Sequence, residues 1–298
     1  MTPSAAVAGV TLGIVAYHAP DALDRALASA SRFEKVLVAN VEADPEVTAV
    51  ARRHGADVID LPTNVGFAAG VNVLASAVTT EWLVVANADV QFGDGEGHAL
   101  ATAEGRGWDV VCPAHLDERG RRSRSLRAVP TPGRFLLEWV LLPDRPIAMP
   151  FGDRVQKWRL PQVDERVEAA TAAVLLVRTE LLREVPMPEQ YFLYWEEMDW
   201  FWELRQRGAG VGYDPAWRVE RHGGRTELGT GKAFLMGRNA VTLGRRRYGP
   251  AGAALYRLLV AAWLLRLAAG DTLARNRRER WRARGAAFAG AFGSRSAP

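Results

Sequence analysis

Cysteine is almost missing from this chain: a single residue in 298, Cys112, so no internal disulfide can form. A chain of this length buries enough surface to fold without covalent staples or a structural metal. With so little cysteine, a reducing, cytoplasmic address is expected. Lysine is nearly as scarce, three residues among 38 basic ones. The opening MTPSAAVAGV has neither a basic start nor a long apolar core, so no signal peptide is expected. An uncharged membrane-length run is also lacking. The longest apolar stretch, Ala251 to Gly270, is interrupted by Arg257 and Arg266, and two arginines at that depth make insertion expensive. A transmembrane reading is rejected on that ground, while a membrane-surface one stays open. What is there, 48% hydrophobic and 24% charged residues, is an ordinary globular composition that excludes disordered and fibrous classes.

The net charge of +4 hides a division. From Arg221 to the end, 16 Lys/Arg stand against 3 Asp/Glu, a balance of +13 that leaves −9 on the first 220 residues. An acidic body with a basic tail results, and such a tail suits phosphates, nucleic acid or anionic lipid. Six arginines fall between Arg275 and Arg284, around Trp281, just after the apolar stretch. An apolar helix with a polybasic flank is a membrane-surface signature. No recognition module accompanies these arginines, so nucleic acid is not expected as a partner.

The first 115 residues alternate short apolar runs with helical patterns. Val10–Tyr17, Lys35–Asn40, Asp57–Asp60, Glu81–Asn87 and Trp108–Pro113 read as strands, with helices over Pro20–Ala30, Asp44–His54 and Gly66–Val78 between them. This alternation predicts an α/β fold with a doubly wound, mostly parallel sheet flanked by helices. Ligands in such sheets bind at the carboxyl ends of the strands, here after Tyr17, Asn40, Asp60 and Asn87. Residues 116–164 lose the pattern apart from a helix over Gly133–Leu142. A strand over Ala169–Val177, a charged aromatic helix after Tyr191, strands near Gly210–Tyr213 and Trp217–Arg221, and a basic helical extension complete the reading. The expected division is a body over residues 1–227, with a nucleotide-binding half to about 115 and an acceptor half after it, followed by a helical basic region over 228–298.

Four elements could carry chemistry. NVGFAAGVN, Asn64 to Asn72, follows a strand and opens a helix, where glycines allow a close approach and the helix N-terminus favours anions; tight packing explains it equally. VVANADV ends a strand in Asn87 and Asp89, oxygen donors suited to a hard cation, or to an Asx turn. In YFLYWEEMDWFWELRQRG, a helical wheel puts Glu197 amid Met198, Trp200, Phe201 and Leu204, with Glu196, Asp199, Glu203 and Gln206 on the opposite arc. A carboxylate on an apolar face needs a reason, either pairing with Arg205 or work as a general base. His222, followed by two glycines and Arg225, could ligate a metal held by carboxylates.

In this order the four elements resemble the inverting, family-two glycosyltransferases of GT-A fold, most closely the bacterial rhamnosyltransferase and galactofuranosyltransferase branch, over roughly Val10 to Gly249. The family pattern N-x-G-F-A-x-G-x-N is matched by Asn64, Gly66, Phe67, Ala68, Gly70 and Asn72, and a strand-end N-x-D by Asn87 and Asp89. F-x-Y-x-E-D-x-D is matched by Phe192, Tyr194, Glu196 and Asp199, with Glu197 in place of the aspartate base. A late histidine is matched by His222. The resemblance implies a nucleoside-diphosphate sugar donor lying along Tyr17, Asn40, Asn64, Gly66, Gly70, Asn72, Asn87 and Arg225, and Mg²⁺ or Mn²⁺ on Asp89 and His222. It places catalysis at Glu197, with Glu196 and Asp199 beside it. It implies a deoxysugar such as dTDP-rhamnose, passed to a lipid-linked saccharide or a natural product. Cytoplasmic localisation follows, with the peripheral inner face of the plasma membrane as the variant the basic tail favours.

The chain departs from the family at four positions. Glu197 is one methylene longer than the usual aspartate. Ala39 stands where an aspartate reads the pyrimidine base. Glu203 replaces a frequent arginine, so a helix salt bridge with Asp199 is expected to be absent. Ala172 replaces a frequent glycine. Together they motivate an alternative, a non-catalytic sugar-nucleotide-binding or partner-binding protein on the same fold. A nucleotidyltransferase is a third reading.

Overall fold

The structure is a computed structural model and describes residues 8–142, 159–221, 229–271 and 277–293. It opens with β1 (Val10–Tyr17), α1 (Pro20–Ser29), β2 (Lys35–Val41), α2 (Pro45–Arg53), β3 (Asp57–Leu61), α3 (Gly66–Ala77) and β4 (Trp82–Asn87). Proline at the first position of α1 and α2 gives up an amide that has no helical partner there. The Asp44 side chain caps α2 by accepting from the Glu46 and Val47 amides. The chain continues through β5 (Val90–Phe92), α4 (Glu96–Arg106) and β6 (Val110–Leu116). Next come β7 (Leu126–Arg127) and α5 (Pro132–Phe135), which widens into a π turn over Leu136–Leu141.

After β8 (Glu165–Arg166), β9 (Ala169–Ala170), β10 (Val174–Arg178) and α6 (Thr179–Glu184) come α7 (Glu196–Gln206) and β11 (Val211–Arg221). The last helices are α8 (Thr230–Asp271) and α9 (Arg277–Phe292). In the nine-stranded sheet the order is β3-β2-β1-β4-β10-β6-β11-β5, with β8 on β11. Strands β3, β2, β1 and β4 are mutually parallel, as are β6 and β11. The insertion of β10, antiparallel to both β4 and β6, joins these two parallel sets.

Alternate residues of each strand face opposite layers, and both layers are apolar. Leu12, Ile14, Val38 and Val84 pack with Leu23 of α1, Val47 of α2 and Ala99 of α4. Leu37, Ala39, Leu83 and Val85 face Leu74 of α3, Phe201 of α7, Tyr256 of α8 and Ala287 of α9. Burying each such large side chain contributes about 1.5–3 kcal/mol. The C-terminal helices therefore share one apolar layer with the helix that carries the candidate base.

Several elements differ from the sequence reading. The expected strand over Ala169–Val177 is two strands: the chain bends at Thr171, whose amide donates to Ser125 O, and β9 pairs with β7 in a separate small sheet. The two late strands are one, β11, which absorbs Pro215 through a register shift between Asp214 and Arg218. The opposite arc of α7 is solvated only towards its C-terminal end, at Glu203 and Gln206. Glu196 and Asp199 are both buried, because α8 covers that face. The long helix α8 has the length and apolarity to cross a membrane, but Gly249 takes a non-helical conformation before Pro250 and kinks it. Arg257 and Arg266 spend their Nε groups inside the protein, on Ala291 O of α9 and Trp139 O.

Candidate active site

The carboxyl ends of β1, β2 and β4 form one edge, as doubly wound topology requires. Tyr17 is half exposed at this edge and lies against the His18 ring, with centroids 4.5 Å apart. His18 bridges Asp44 and Glu42, each at 2.7 Å, and these carboxylates hold its pKa above the usual imidazole value. Asn40 behaves differently from the residue expected to read a base. Its side chain is fully buried, and Nδ2 donates to Asp44 O, Thr48 Oγ1 and Asp60 Oδ1 at 2.7–2.9 Å. Its amide is committed to shaping the loop after β2.

The Asn64–Asn72 segment is also committed to packing. Asn64 Oδ1 accepts from the Gly66 amide in an Asx turn. Gly66 has φ +81°, and a Cβ there would sit 2.2 Å from Phe192 O, so only glycine fits. The Phe67 amide donates to that same carbonyl. At Gly70 a Cβ would meet Val15 of β1 at 2.9 Å. Asn72 brackets the chain at Met187, accepting from its amide and donating to its carbonyl, each at 2.9 Å. The motif thus presses the start of α3 against the segment that precedes α7.

That segment is strained. Phe192, Tyr194 and Trp195 have φ of +64°, +68° and +74°, a conformation costing bulky residues about 1–3 kcal/mol each and retained at functional sites when the surroundings enforce it. Trp195 is the N-cap of α7, whose first two residues are Glu196 and Glu197. Each of these carboxylates has a buried oxygen, Oε2, with no hydrogen-bond partner. Burial raises the Glu196 pKa well above the ordinary carboxylate range, and the neighbouring Glu197 charge adds to it. Burial raises Glu197 as well, opposed by backbone amides at its helix N-terminus and by Arg127 and Arg221. Two adjacent carboxyls in unequal surroundings are thereby set apart, Glu196 facing the larger cost of ionising and Glu197 the smaller.

Glu197 lines a cleft of about 500 Å³ with Arg127, Glu138, Trp139, Tyr194 and Trp195. Trp139 and Trp195 stack with centroids 5.7 Å apart, and Phe135 stacks on both. Aromatic faces beside a carboxylate suit a sugar ring, which offers apolar C–H faces and hydroxyl edges. The π turn supplies Glu138 and Trp139, and such turns are frequent at functional sites. Arg205, the structural partner considered for Glu197, pairs with Glu168 instead.

Asp199 is not part of the cleft chemistry. It is fully buried, held by Arg246 at 2.8 Å and by Arg247, and accepts from Tyr191 OH at 3.0 Å. Glu203, expected to leave Asp199 without a salt bridge, joins it: Arg247 bridges both carboxylates from α8. The arginine that the helix lacks is supplied by another helix.

At the end of β4, Asp89 Oδ2 accepts from Arg221 Nε at 3.2 Å, while Oδ1 is buried with no partner. An orphaned carboxylate oxygen two residues from Asn87 fits one position of an oxygen-donor cation site. His222 and Arg225 lie outside the described residues, and among the described residues no three His, Cys, Asp or Glu side chains converge to complete a metal centre. Arg127, Arg221, Glu138 and Trp139 were not singled out from the sequence. Only the position of Arg221, one before His222, was a signal; the others sit in stretches without periodicity.

Residues 11–150 match the profile of Glycosyl transferase family 2. N-acetylglucosaminyl-diphospho-decaprenol L-rhamnosyltransferase of Mycobacterium tuberculosis, in strains CDC 1551 and H37Rv, is 30% identical over 230 residues, covering 70% of this chain and 74% of that protein. The chain belongs to glycosyltransferase family 2. Its fold is shared with mannosyltransferase PcManGT from Pyrobaculum calidifontis, solved with GDP-Man and Mn²⁺ (TM-score 0.54, 13% identity, 96% of this chain and 88% of that one). It is shared also with GalNAc-T7, solved with UDP, GalNAc and Mn²⁺ (TM-score 0.54, 11% identity, 85% and 54%). In this member of the family, the strand edge near Tyr17 and the Glu197 cleft are the two candidate parts of the active site.

Proposed function

We propose that this glycosyltransferase moves a deoxysugar such as rhamnose, with inversion, from a thymidine-diphosphate donor to a hydroxyl of a saccharide carried on a polyprenyl diphosphate. The observation carrying this reading is Glu197, a carboxylate with one buried, unpartnered oxygen that lines a cleft walled by stacked tryptophans. Glu197 takes the proton of the acceptor hydroxyl; that oxygen bonds to the anomeric carbon as the bond to the diphosphate oxygen breaks. Single displacement inverts the centre. Arg127 and Arg221 oppose the rise that burial imposes on the pKa of this carboxyl and so favour its charged form. Asp89, with Asn87 beside it and His222 following β11, is the set that would hold Mg²⁺ or Mn²⁺. The ion supplies Lewis-acid stabilisation of the departing nucleoside diphosphate. The 30% identity to a rhamnosyltransferase acting on a decaprenyl-linked sugar supports both the donor and the acceptor class.

The surface of the C-terminal helices supports peripheral binding to a membrane that carries such an acceptor. Leu255, Leu258 and Leu265 are exposed along α8, and Trp281, Phe288 and Phe292 along α9, whose first turns hold several arginines. Vesicles rich in anionic lipid are expected to retain the protein at low salt and release it at high salt. If they do not, the membrane reading falls and a soluble acceptor takes its place.

Transfer itself is tested with Glu197→Gln. Turnover of dTDP-rhamnose onto a short-chain prenyl-diphosphate saccharide is expected to drop by about 10²–10⁴-fold, the usual share of a general base. Thermal stabilisation by the nucleotide with Mn²⁺ should persist in the variant. Undiminished turnover in the variant would remove Glu197 from the reaction.

A further inference from the structure

The strained turn that delivers Glu197 is held from the side opposite the Gly66 contact, and the holder lies in the C-terminal helix. Asn239 of α8 is fully buried. Its Nδ2 lies 2.8 Å from Tyr191 O, 2.9 Å from Leu193 O and 3.0 Å from Tyr194 O, so the two N–H groups of one amide are shared among three carbonyls of the turn. Its Oδ1 accepts from Arg238 Nε at 3.1 Å, which fixes the orientation of the amide, and Arg238 Nη2 reaches Tyr191 O as well. The carbonyls lie between and beside the positive-φ residues Phe192, Tyr194 and Trp195, which brings them to face a single point. Left-handed conformations of bulky residues persist only where the surroundings over-determine them. Here the over-determination comes from Phe67 N–H on Phe192 O on one side and Asn239 on the other.

We infer that Asn239 is a positioning residue for catalysis: its amide clamps the Tyr191–Tyr194 carbonyls and so fixes the direction in which Glu197 leaves the N-terminus of α7. It touches neither donor nor acceptor and acts only through the loop. The C-terminal extension is accordingly part of the catalytic apparatus, since the clamp is built on α8 rather than on the sheet. The inference deepens the proposed function and rests on Glu197 being the base.

The test compares wild type with Asn239→Asp, Asn239→Ser and Asn239→Ala in two assays. Asn239→Asp is nearly isosteric but sets an acceptor against carbonyl acceptors; serine keeps one donor with a shorter reach. In steady-state transfer with dTDP-rhamnose and a short-chain prenyl-diphosphate saccharide, kcat is expected to fall by about 10- to 100-fold in the aspartate and alanine variants, as for displacements near 1 Å. Serine is expected to lie between them and wild type. The donor KM should stay within about twofold, because the donor edge belongs to β1, β2 and β4. The second assay is amide hydrogen exchange, which needs no substrate. Protection should be lost over residues 191–197 and retained in the central strands. Unchanged kcat and unchanged exchange in a folded variant would overturn the clamp, as would equal loss of protection throughout the molecule. If Asn239→Asp does not fold, serine and alanine decide. Should wild type transfer no rhamnose, the donor assignment fails on its own, and the exchange result still decides the clamp.

Discussion

The strand edge near Tyr17 and the head of α7 treat their polar groups in opposite ways. On the donor edge, Asn40, Asn64 and Asn72 all spend their side chains inside the protein, bracing a loop, a turn and a helix. At the head of α7, Glu197 of the cleft and Glu196 beside it each keep a buried oxygen without a partner, and the backbone before the helix is strained; on the strand edge Asp89 does the same. Buried polar atoms are normally satisfied, so these exceptions call for a ligand. Apart from Asp89, the strand edge is a finished scaffold that offers backbone and an exposed tyrosine; the head of α7 leaves its carboxylates unsatisfied. Motif residues, in this molecule, mark where geometry is enforced more than where chemistry occurs.

The largest way to break that contrast is through Asp199, a carboxylate of the α7 motif whose oxygens are fully satisfied. Arg247→Met removes one of its cations and leaves a buried charge relying on Arg246 and Tyr191 OH. Breaking a buried pair costs about 3–5 kcal/mol, and the remaining partners put this case near 3 kcal/mol. At about 2–4 °C per kcal/mol in a protein of this size, calorimetry should show Tm lower by roughly 10 °C. A drop of only 1–2 °C would mean that Asp199 is not the anchor the geometry describes.

How much of this could be read beforehand follows the same division. The parallel strands and the motif positions were legible because apolar periodicity and glycine both have local causes. That Glu197 occupies an apolar face was legible too, from helical spacing alone. Partnership across the chain was not. The wheel put Asp199 on the arc opposite the apolar face, and nothing local signals that α8, more than 40 residues on, will cover it with Arg246 and Arg247. Arg127 and Trp139 come from a stretch whose order is imposed by tertiary contact, where periodicity has no purchase. Asn239 sits in a long helix and shows its role only once the carbonyls of a distant loop are brought to it.

A smaller test sharpens the donor side. Asn72→Ala removes three bonds to the Met187–Glu189 segment and is expected to destabilise by about 1–3 kcal/mol with no change in donor KM. Tyr17→Ala, at an exposed position, should do the reverse: Tm within a degree or so of wild type, donor KM several-fold higher. Chemical denaturation beside initial-rate kinetics separates the two. If Asn72→Ala weakens the donor and Tyr17→Ala does not, the scaffold and contact roles are exchanged.

The smallest expected effect concerns Glu196, and its sign depends on pH. Burial and the Glu197 charge place its folded pKa well above the ordinary carboxylate range. A group raised in this way favours the fold fully below its unfolded value of about 4.3, and that contribution is lost as pH rises through the folded pKa. At pH 8 the wild-type fold therefore carries either a buried charge or the work of keeping a proton. Glu196→Gln has neither, while filling the same space. The variant should match wild type, or fall slightly below it, near pH 4.5, and exceed it at pH 8 by a Tm difference of about 2–4 °C for each kcal/mol recovered. A pH-independent difference would mean that Glu196 does not change its protonation on folding, and that the unequal pair at the head of α7 owes its inequality to something other than burial.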